Sequence, residues 1–422
     1  MVSRSARGRR AVLLVANAAS PYSRGLRVAR SLGAAGWDVE IAAVDDGRHP
    51  VDELDAGVRV RRYRPRGIWA RWQTDAPRPS GRGLRGRLAR WATAAVKLAA
   101  WPVHVRGWWA ALDTELPPAD LYHAFGILAI PVALRLGARA RRQGFAGRVV
   151  YDVIDVILES NNVAGVPGPV LAAWKWRELR WVRRSDLVVT VNDAIADHLV
   201  AAWRLTTRPT VLLNCQPRWT PPATRPDLIR AATGIPPERQ IVLFLGRLGR
   251  ERGLEAAAEA VLRLHDAALV LLGFGAWEDR LRGRDGDDRY AGRHFTLPPV
   301  HPDDVPMWTA SADASVVAVP ANSLNQRLST PNKFWESITA GVPVVVGRDL
   351  EVMRAVTESE GLGAVADPAD PDDLARALRA VLEAPEGERA AMRERCLRVT
   401  HDRLCWEVAA EPYLAAVGRP EA

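Results

Sequence analysis

Cysteine is scarce in this 422-residue chain: Cys215, Cys396 and Cys405 make an odd number, without the paired spacing of a zinc site or a disulfide framework. Reduced thiols in a cytoplasmic protein are expected. Lysine is as scarce, with Lys97, Lys175 and Lys333 among 58 cationic residues. Arginine is the default cation, so a retained lysine draws notice. Long apolar runs are absent too. No stretch of eighteen or more apolar residues lacks a charge, and the basic start MVSRSARGRR leads into the short strand-like AVLLVA, so neither a transmembrane span nor a secretory signal is expected. No Gly-x-Ser-x-Gly elbow or Cys/His arrangement supports covalent hydrolase chemistry. His265, His294, His301 and His401 fall in unrelated stretches, and Asp285-Gly-Asp287 sits in an Arg- and Gly-rich loop. No metal site is expected.

What is present is a chain 48% hydrophobic and 25% charged, long enough for two domains. Its net charge of +9 is unevenly placed. Residues 59–112 carry twelve Arg and one Lys against a single acid, Asp75, which leaves the remainder slightly acidic. A local basic surface fits this better than a protein basic all over, and with no recognition motif nucleic acid is not an expected partner.

Short β-branched runs alternate with helical patterns: AVLLVA, a helix near 24–35, DVEIAAV, VRVRRYR, then DLYHAF, a helix near 128–143, RVVYDV, a helix near 170–184, DLVVTV, a further helix and TVLL. Nearly continuous apolar strands between crossover helices predict a parallel sheet covered on both faces. Prolines crowd 216–240, which reads as an interdomain linker. A second series follows through IVLFL, ALVLL, FTL, ASVVAV, PVVV and AVA, with helices from about Leu254, Pro331, Asp349 and Pro371. The fold class expected is α/β, with two Rossmann-like domains spanning 1–215 and 216–400 and a C-terminal helix in 401–422 that returns to the first. An insertion near 67–112 interrupts the first domain. Leu84, Leu88, Trp91, Ala95, Leu98 and Ala99 share one helical face there, with Arg85, Arg87 and Arg90 largely off it. Such a helix suits an anionic membrane surface; the alternative is packing on its own domain with solvated arginines.

The stretch STPNKFWESITAGVPVVV carries the most chemistry. Thr330 reads as an N-cap, Pro331 as the first helical residue and Gly341 as the stop. A helix N-terminus at a strand's carboxyl end is an anion site, to which Lys333 adds a full charge, and Glu336 shares its face. Asn332 lies in the same first turn. In IVLFLGRLGRERGLEAAAEAV, Gly246 follows a buried strand, and Arg247 and Arg252 can grip a diphosphate. In LVLLGFGAWEDRL, Gly273 and Gly275 predict a close backbone approach. Three such loops on consecutive βα units face one crevice.

With these residues in place, the second domain resembles the GT-B retaining glycosyltransferases of glycosyltransferase family 4, which use nucleotide-activated sugars. The resemblance runs in order from IVLFL to PDDLARALRAVL and more faintly through the first domain. It implies that Arg247 and Arg252 bind donor phosphates, with Arg252 where lysine is usual, and that Glu336 holds the ribose hydroxyls. A first glutamate of the family's pair would fall on Ser329 and is missing. DLYHAFG and VVYDVIDVILES resemble the strand end and loop that face the donor sugar, making His123, Asp152, Asp155 and Glu159 the polar candidates; the position before Asp155 is Ile154 where many members have His or Arg. Core packing for His123 and turn capping for Asp152 or Asp155 are the alternatives. In NAASPYSRG, Asn17, Ser20 and Arg24 would line the acceptor side, although Arg24 also suits a helix end.

The implied activity is transfer of a sugar from a UDP- or GDP-sugar to a lipid-linked or glycan acceptor, without a cofactor or a required metal. Arg247, Arg252, Lys333, His123 and Asp155 are the catalytic candidates. An anionic membrane surface at the inner face of the plasma membrane is the expected partner and place. A GT-B sugar-nucleotide epimerase and a non-catalytic membrane-bound partner of another transferase are the alternatives.

Overall fold

The computed structural model describes residues 9–20, 22–66, 101–250, 252–290 and 292–418. The chain forms two compact units. One runs to Leu212 and takes the chain back from Ala410, and the other is Leu213–Ala409. Among the described residues, no helix is long and apolar enough to cross a membrane.

The first unit holds an eight-stranded sheet: β1 (Arg10–Val15), β2 (Asp38–Val44), β3 (Asp52–Asp55), β4 (Val58–Tyr63), β5 (Leu121–Phe125), β6 (Arg148–Val153), β7 (Leu187–Thr190) and β8 (Thr210–Val211), in the order β3-β4-β2-β1-β5-β6-β7-β8. The ladder is parallel except where β3 turns back on β4. β1 and β5 read as unbroken apolar runs because both faces are covered, and every residue from Leu121 to Phe125 is buried. The edge strand β3 is acidic and polar. It forms because Ala56 and Gly57 both take positive φ, as a two-residue hairpin turn requires, and because Asp52 and Glu53 meet Arg59 and Arg62 of β4.

The second unit holds β9 (Gln240–Arg247), β10 (Ala267–Phe274), β11 (His294–Leu297), β12 (Ala314–Val317), β13 (Val344–Gly347) and β14 (Gly363–Ala366), all parallel, in the order β11-β10-β9-β12-β13-β14. This is the doubly wound arrangement. Helices Leu254–Leu262 and Pro371–Leu382 pack one face of the sheet, and Ile229, Ile235, Ala310 and Ala340 close the other. The proline-rich stretch expected as a linker belongs to this unit. It contains the helix Leu228–Thr233, and Trp219 packs against the core. The helix Trp406–Val417 carries the chain from the second unit into the first.

Candidate active site

In the second unit the direction of winding reverses between β9 and β12, and ligand loops gather at the carboxyl ends of such a pair. β9 ends at Gly246 and the exposed Arg247, and the loop that follows returns through Arg252 to the helix Leu254–Leu262. This loop is fastened across the reversal. Gly253 has φ +71°, and a Cβ there would lie 2.2 Å from the carbonyl oxygen of Ala318, just past β12. Arg252 is thereby brought to the same strand ends as the helix Asn332–Thr339. That helix starts one residue later than the sequence predicts. Pro331 takes the cap position with extended backbone, Asn332 is the first helical residue, and Thr330 makes no capping hydrogen bond. Asn332 Oδ1 instead accepts from Asn214 Nδ2 at 2.7 Å.

Phe334, Trp335 and Ile338 bury one side of the helix, and Ser337 Oγ lies 2.8 Å from Ser315 Oγ of β12. Lys333 goes in with them. It is only 8% exposed, its Nζ stands 3.6 Å above the Phe244 ring of β9, and among the described residues it has no hydrogen-bond acceptor. Burial pushes its ammonium down from the ordinary 10.5 to about 7; the charge of Arg252 adds to the depression and Glu336 opposes it. Lys333, Arg252 and the half-buried Glu336 are therefore electrostatic neighbours. Thr330 Oγ1 is likewise buried without a partner. Buried polar groups of this kind require explanation, and an anion at the helix start would supply acceptors for both.

The third glycine loop has another cause. A Cβ on Gly273 would meet the Gly246 carbonyl oxygen at 1.9 Å, and one on Gly275 would meet that of Leu248 at 2.1 Å. These glycines let the end of β10 close on the end of β9, so the close approach read from the sequence is to protein backbone.

In the first unit, three expected site residues form one buried cluster. Arg24 donates to both carboxylate oxygens of Asp152, at 2.8 and 3.0 Å, and to the Leu212 carbonyl at 3.0 Å. His123, fully buried, places Nε2 3.2 Å from Asp152 and Nδ1 2.9 Å from the Tyr413 hydroxyl. Burial lowers the pKa of His123, the Asp152 contact only partly offsetting it. Burial alone would raise that of Asp152, but Arg24 and His123 outweigh it and hold the carboxyl below its usual range. A carboxylate can only accept, so the neutral ring carries its proton on Nε2 and accepts a hydrogen bond from the Tyr413 hydroxyl at Nδ1. Both nitrogens are committed. Arg24 does not line an acceptor surface and His123 does not face a sugar; they tie the helix Ser23–Ala34, β5, β6 and the C-terminal helix together. Asp155 and Ser20 are exposed. So is Asn17, whose side chain accepts from the Ala19 N–H at 2.8 Å and bends the loop after β1. Glu159 pairs with Lys175. Tyr413 was not legible as a partner of His123, since 290 residues separate them.

Leu84, Arg85, Arg87, Leu88, Arg90, Trp91, Ala95, Leu98 and Ala99 lie outside the described residues. The end of that basic segment, 101–115, is helical and turns inward. Val105, Trp108, Ala111 and Leu112 are buried, and the Trp108 indole donates to the Ala43 carbonyl at 3.2 Å. Three arginines at the start of that segment pair with acids, Arg59 with Asp52, Arg62 with Glu53 and Arg66 with Glu115. Among the described residues, no group of three or more His, Cys, Asp or Glu comes together.

Residues 226–397 match the family model of glycosyl transferases group 1. The sulfoquinovosyl transferase SQD2 of Arabidopsis thaliana is 25% identical over 263 residues, which cover 57% of this chain and 47% of that protein; the chain thus spans about half the length of this curated relative. Among solved structures, sucrose-phosphate synthase from Thermosynechococcus elongatus superposes with a TM-score of 0.68 at 18% identity, covering 95% of this chain and 96% of that one. HepE of Anabaena in complex with UDP-glucose gives 0.64 at 14%, over 96% and 98%. The catalytic domain of starch synthase IV from Arabidopsis thaliana, bound to ADP and acarbose, gives 0.66 at 13%, over 97% and 99%. The fold is GT-B, and its second unit is similar in sequence to glycosyl transferases group 1.

Proposed function

We propose that this chain is a glycosyltransferase of the hexosyl type that takes its sugar from a nucleoside-diphosphate sugar, UDP- or GDP-linked, at the carboxyl ends of β9 and β12. The observation that carries the reading is Lys333, a buried ammonium without an acceptor, set beside Arg252 at a helix N-terminus. A diphosphate answers all three features at once. Arg247, Arg252, Lys333 and the first-turn amides of Asn332–Thr339 would take up the charge that grows on the departing diphosphate, which asks for no metal. Glu336, on the Lys333 face, accepts from the ribose hydroxyls. Asp155, exposed after β6, remains the candidate that orients the sugar. The ligands of two structural neighbours, UDP-glucose with HepE and ADP with starch synthase IV, support a donor of this class.

Family 4 membership and a retaining course, with the acceptor hydroxyl attacking from the face the diphosphate leaves, belong to the same proposal. So does a lipid-linked or glycan acceptor met at the inner face of the plasma membrane; the basic, tryptophan-bearing sequence of residues 67–100 supports it. The test is thermal stabilisation by UDP, GDP, ADP, TDP and their sugars, repeated with Glu336→Ala. One nucleotide should raise the midpoint in the wild type, with the shift lost in the variant. No shift with any nucleotide overturns the donor site. For the acceptor, loss of vesicle binding on replacing Arg85, Arg87 and Arg90 is expected, and unchanged binding removes that part.

A further inference from the structure

Among the described residues, the helix Gly168–Val182 is covered on one side only. Trp174, Glu178 and Val182 are buried, and the Trp174 ring packs edge-on against Trp101 at 5.3 Å and Trp181 at 6.2 Å. On the other side Pro169, Ala172, Ala173, Trp176, Arg180 and Arg183 follow one another at the three- and four-residue spacing of a single face, and all are exposed. Trp176 is 56% exposed, an unusual state for the largest side chain, and the Arg180 guanidinium lies 4.7 Å over its ring. Arg177 and Arg184 flank this face, also exposed, and Val170 adds apolar surface that is 41% exposed. Among the described residues, Arg177, Arg180, Arg183 and Arg184 have no acidic partner within ion-pair distance. The helix has one acid, Glu178, which is turned inward to the Tyr151 hydroxyl at 2.6 Å.

We propose that the outer face of Gly168–Val182, with Arg183 and Arg184, is a docking surface for an anionic phospholipid membrane. A tryptophan ringed by arginines on a one-sided helix suits the headgroup layer: the indole sits among carbonyls and glycerol while the guanidinium groups reach lipid phosphates. Charge complementarity selects the occupant, since the face offers only cations. The surface is distinct from the β9 and β12 strand ends; it rests on the membrane part of the proposed function and is separate from the donor reading. Vesicle binding needs no turnover, so the two stand or fall separately.

The test uses the full chain and flotation with phosphatidylcholine vesicles, with and without phosphatidylglycerol. The intact protein should float with the anionic vesicles only. Arg180→Gln with Arg183→Gln should weaken partitioning about thirtyfold, at roughly one phosphate contact's worth per cation. Trp176→Ser should weaken it further. The pair Arg354→Gln and Arg398→Gln, exposed arginines of the second unit, should leave it unchanged at matched charge. These surface variants keep the wild-type unfolding midpoint and its response to nucleotide. Equal loss in both pairs, no loss in the first, binding to uncharged vesicles alike, or displacement from vesicles by a single-stranded oligonucleotide would each overturn the assignment.

Discussion

Replacing Lys333 by Met keeps the stem on Phe244 and removes the buried charge, so it separates the lysine's cost to folding from its use in binding. In the unfolded chain the ammonium holds its proton up to the ordinary 10.5, while in the folded protein it gives it up near 7. Between those values the unfolded state binds more protons and stability rises with pH; below about 7 the whole penalty is present. A displacement of that size corresponds to roughly 5 kcal/mol. The Phe244 face returns about 2 kcal/mol to the charged form. Lys333→Met should therefore stabilise the ligand-free protein by about 3 kcal/mol at a pH just below 7, a rise in midpoint of about 6–12 °C, and by progressively less as pH approaches 10.5. The same variant should lose the stabilisation by nucleoside diphosphates. Calorimetry across pH, with and without nucleotide, reads both effects. A variant less stable than wild type below pH 7, or one that keeps its nucleotide response, refutes the reasoning.

Two further outcomes test the scaffold. Arg24→Met leaves the buried Asp152 carboxylate with only His123 and should cost about 3–5 kcal/mol in denaturant unfolding, with loss of both the bidentate contact and the tie to Leu212; a cost under about 1 kcal/mol would mean that the cluster is not held as an ion pair. Gly273→Ala drives a methyl against the Gly246 carbonyl and should cost about 3 kcal/mol in the same assay, whereas a ligand-facing glycine would cost donor affinity and leave the unfolding midpoint in place.

Both sheets were legible because parallel strands covered on two faces leave long apolar runs, and Arg148–Val153 was bounded to the residue. The edge strand β3 was missed because Asp-Glu-Leu-Asp carries no apolar pattern; its one signal was the Ala56-Gly57 turn. The proline-crowded stretch was misread because prolines there flank the helix Leu228–Thr233 and precede β9 without breaking the packing of Trp219. In the site, local signals carried the helix Asn332–Thr339, its stop at Gly341 and the loop after β9. What they could not carry was burial. The depth of Lys333 is set by Phe244 of another strand, and the fate of Arg24 by an aspartate 128 residues away. The same arginine pattern on a helix start reads as solvated or ligand-facing until that partner is known.

The choice of cation at 333 carries its own prediction. In a chain that uses lysine three times among 58 cations, arginine is the default, yet lysine stands where the side chain is most buried among the donor-site cations. Arginine keeps its charge at any pH the fold survives, so in a ligand-free site it would have to hold an unanswered guanidinium against the Phe244 ring. Lysine can shed its proton there above about pH 7 and take one up when a diphosphate arrives, so above that pH the full charge is present only with its counter-charge. Lys333→Arg, which conserves charge, should then stay within about 1 kcal/mol of wild type below pH 7 and fall behind it as pH rises toward 10.5, by up to about 3 kcal/mol, because only the lysine sheds its penalty there. Nucleotide binding to the wild type should also draw protons from the buffer above pH 7, read as a heat that varies with the buffer's ionisation enthalpy. An arginine variant whose midpoint tracks the wild type up to about pH 10, with the wild-type nucleotide response, would show that the ability to shed a proton is not what keeps a lysine at this position.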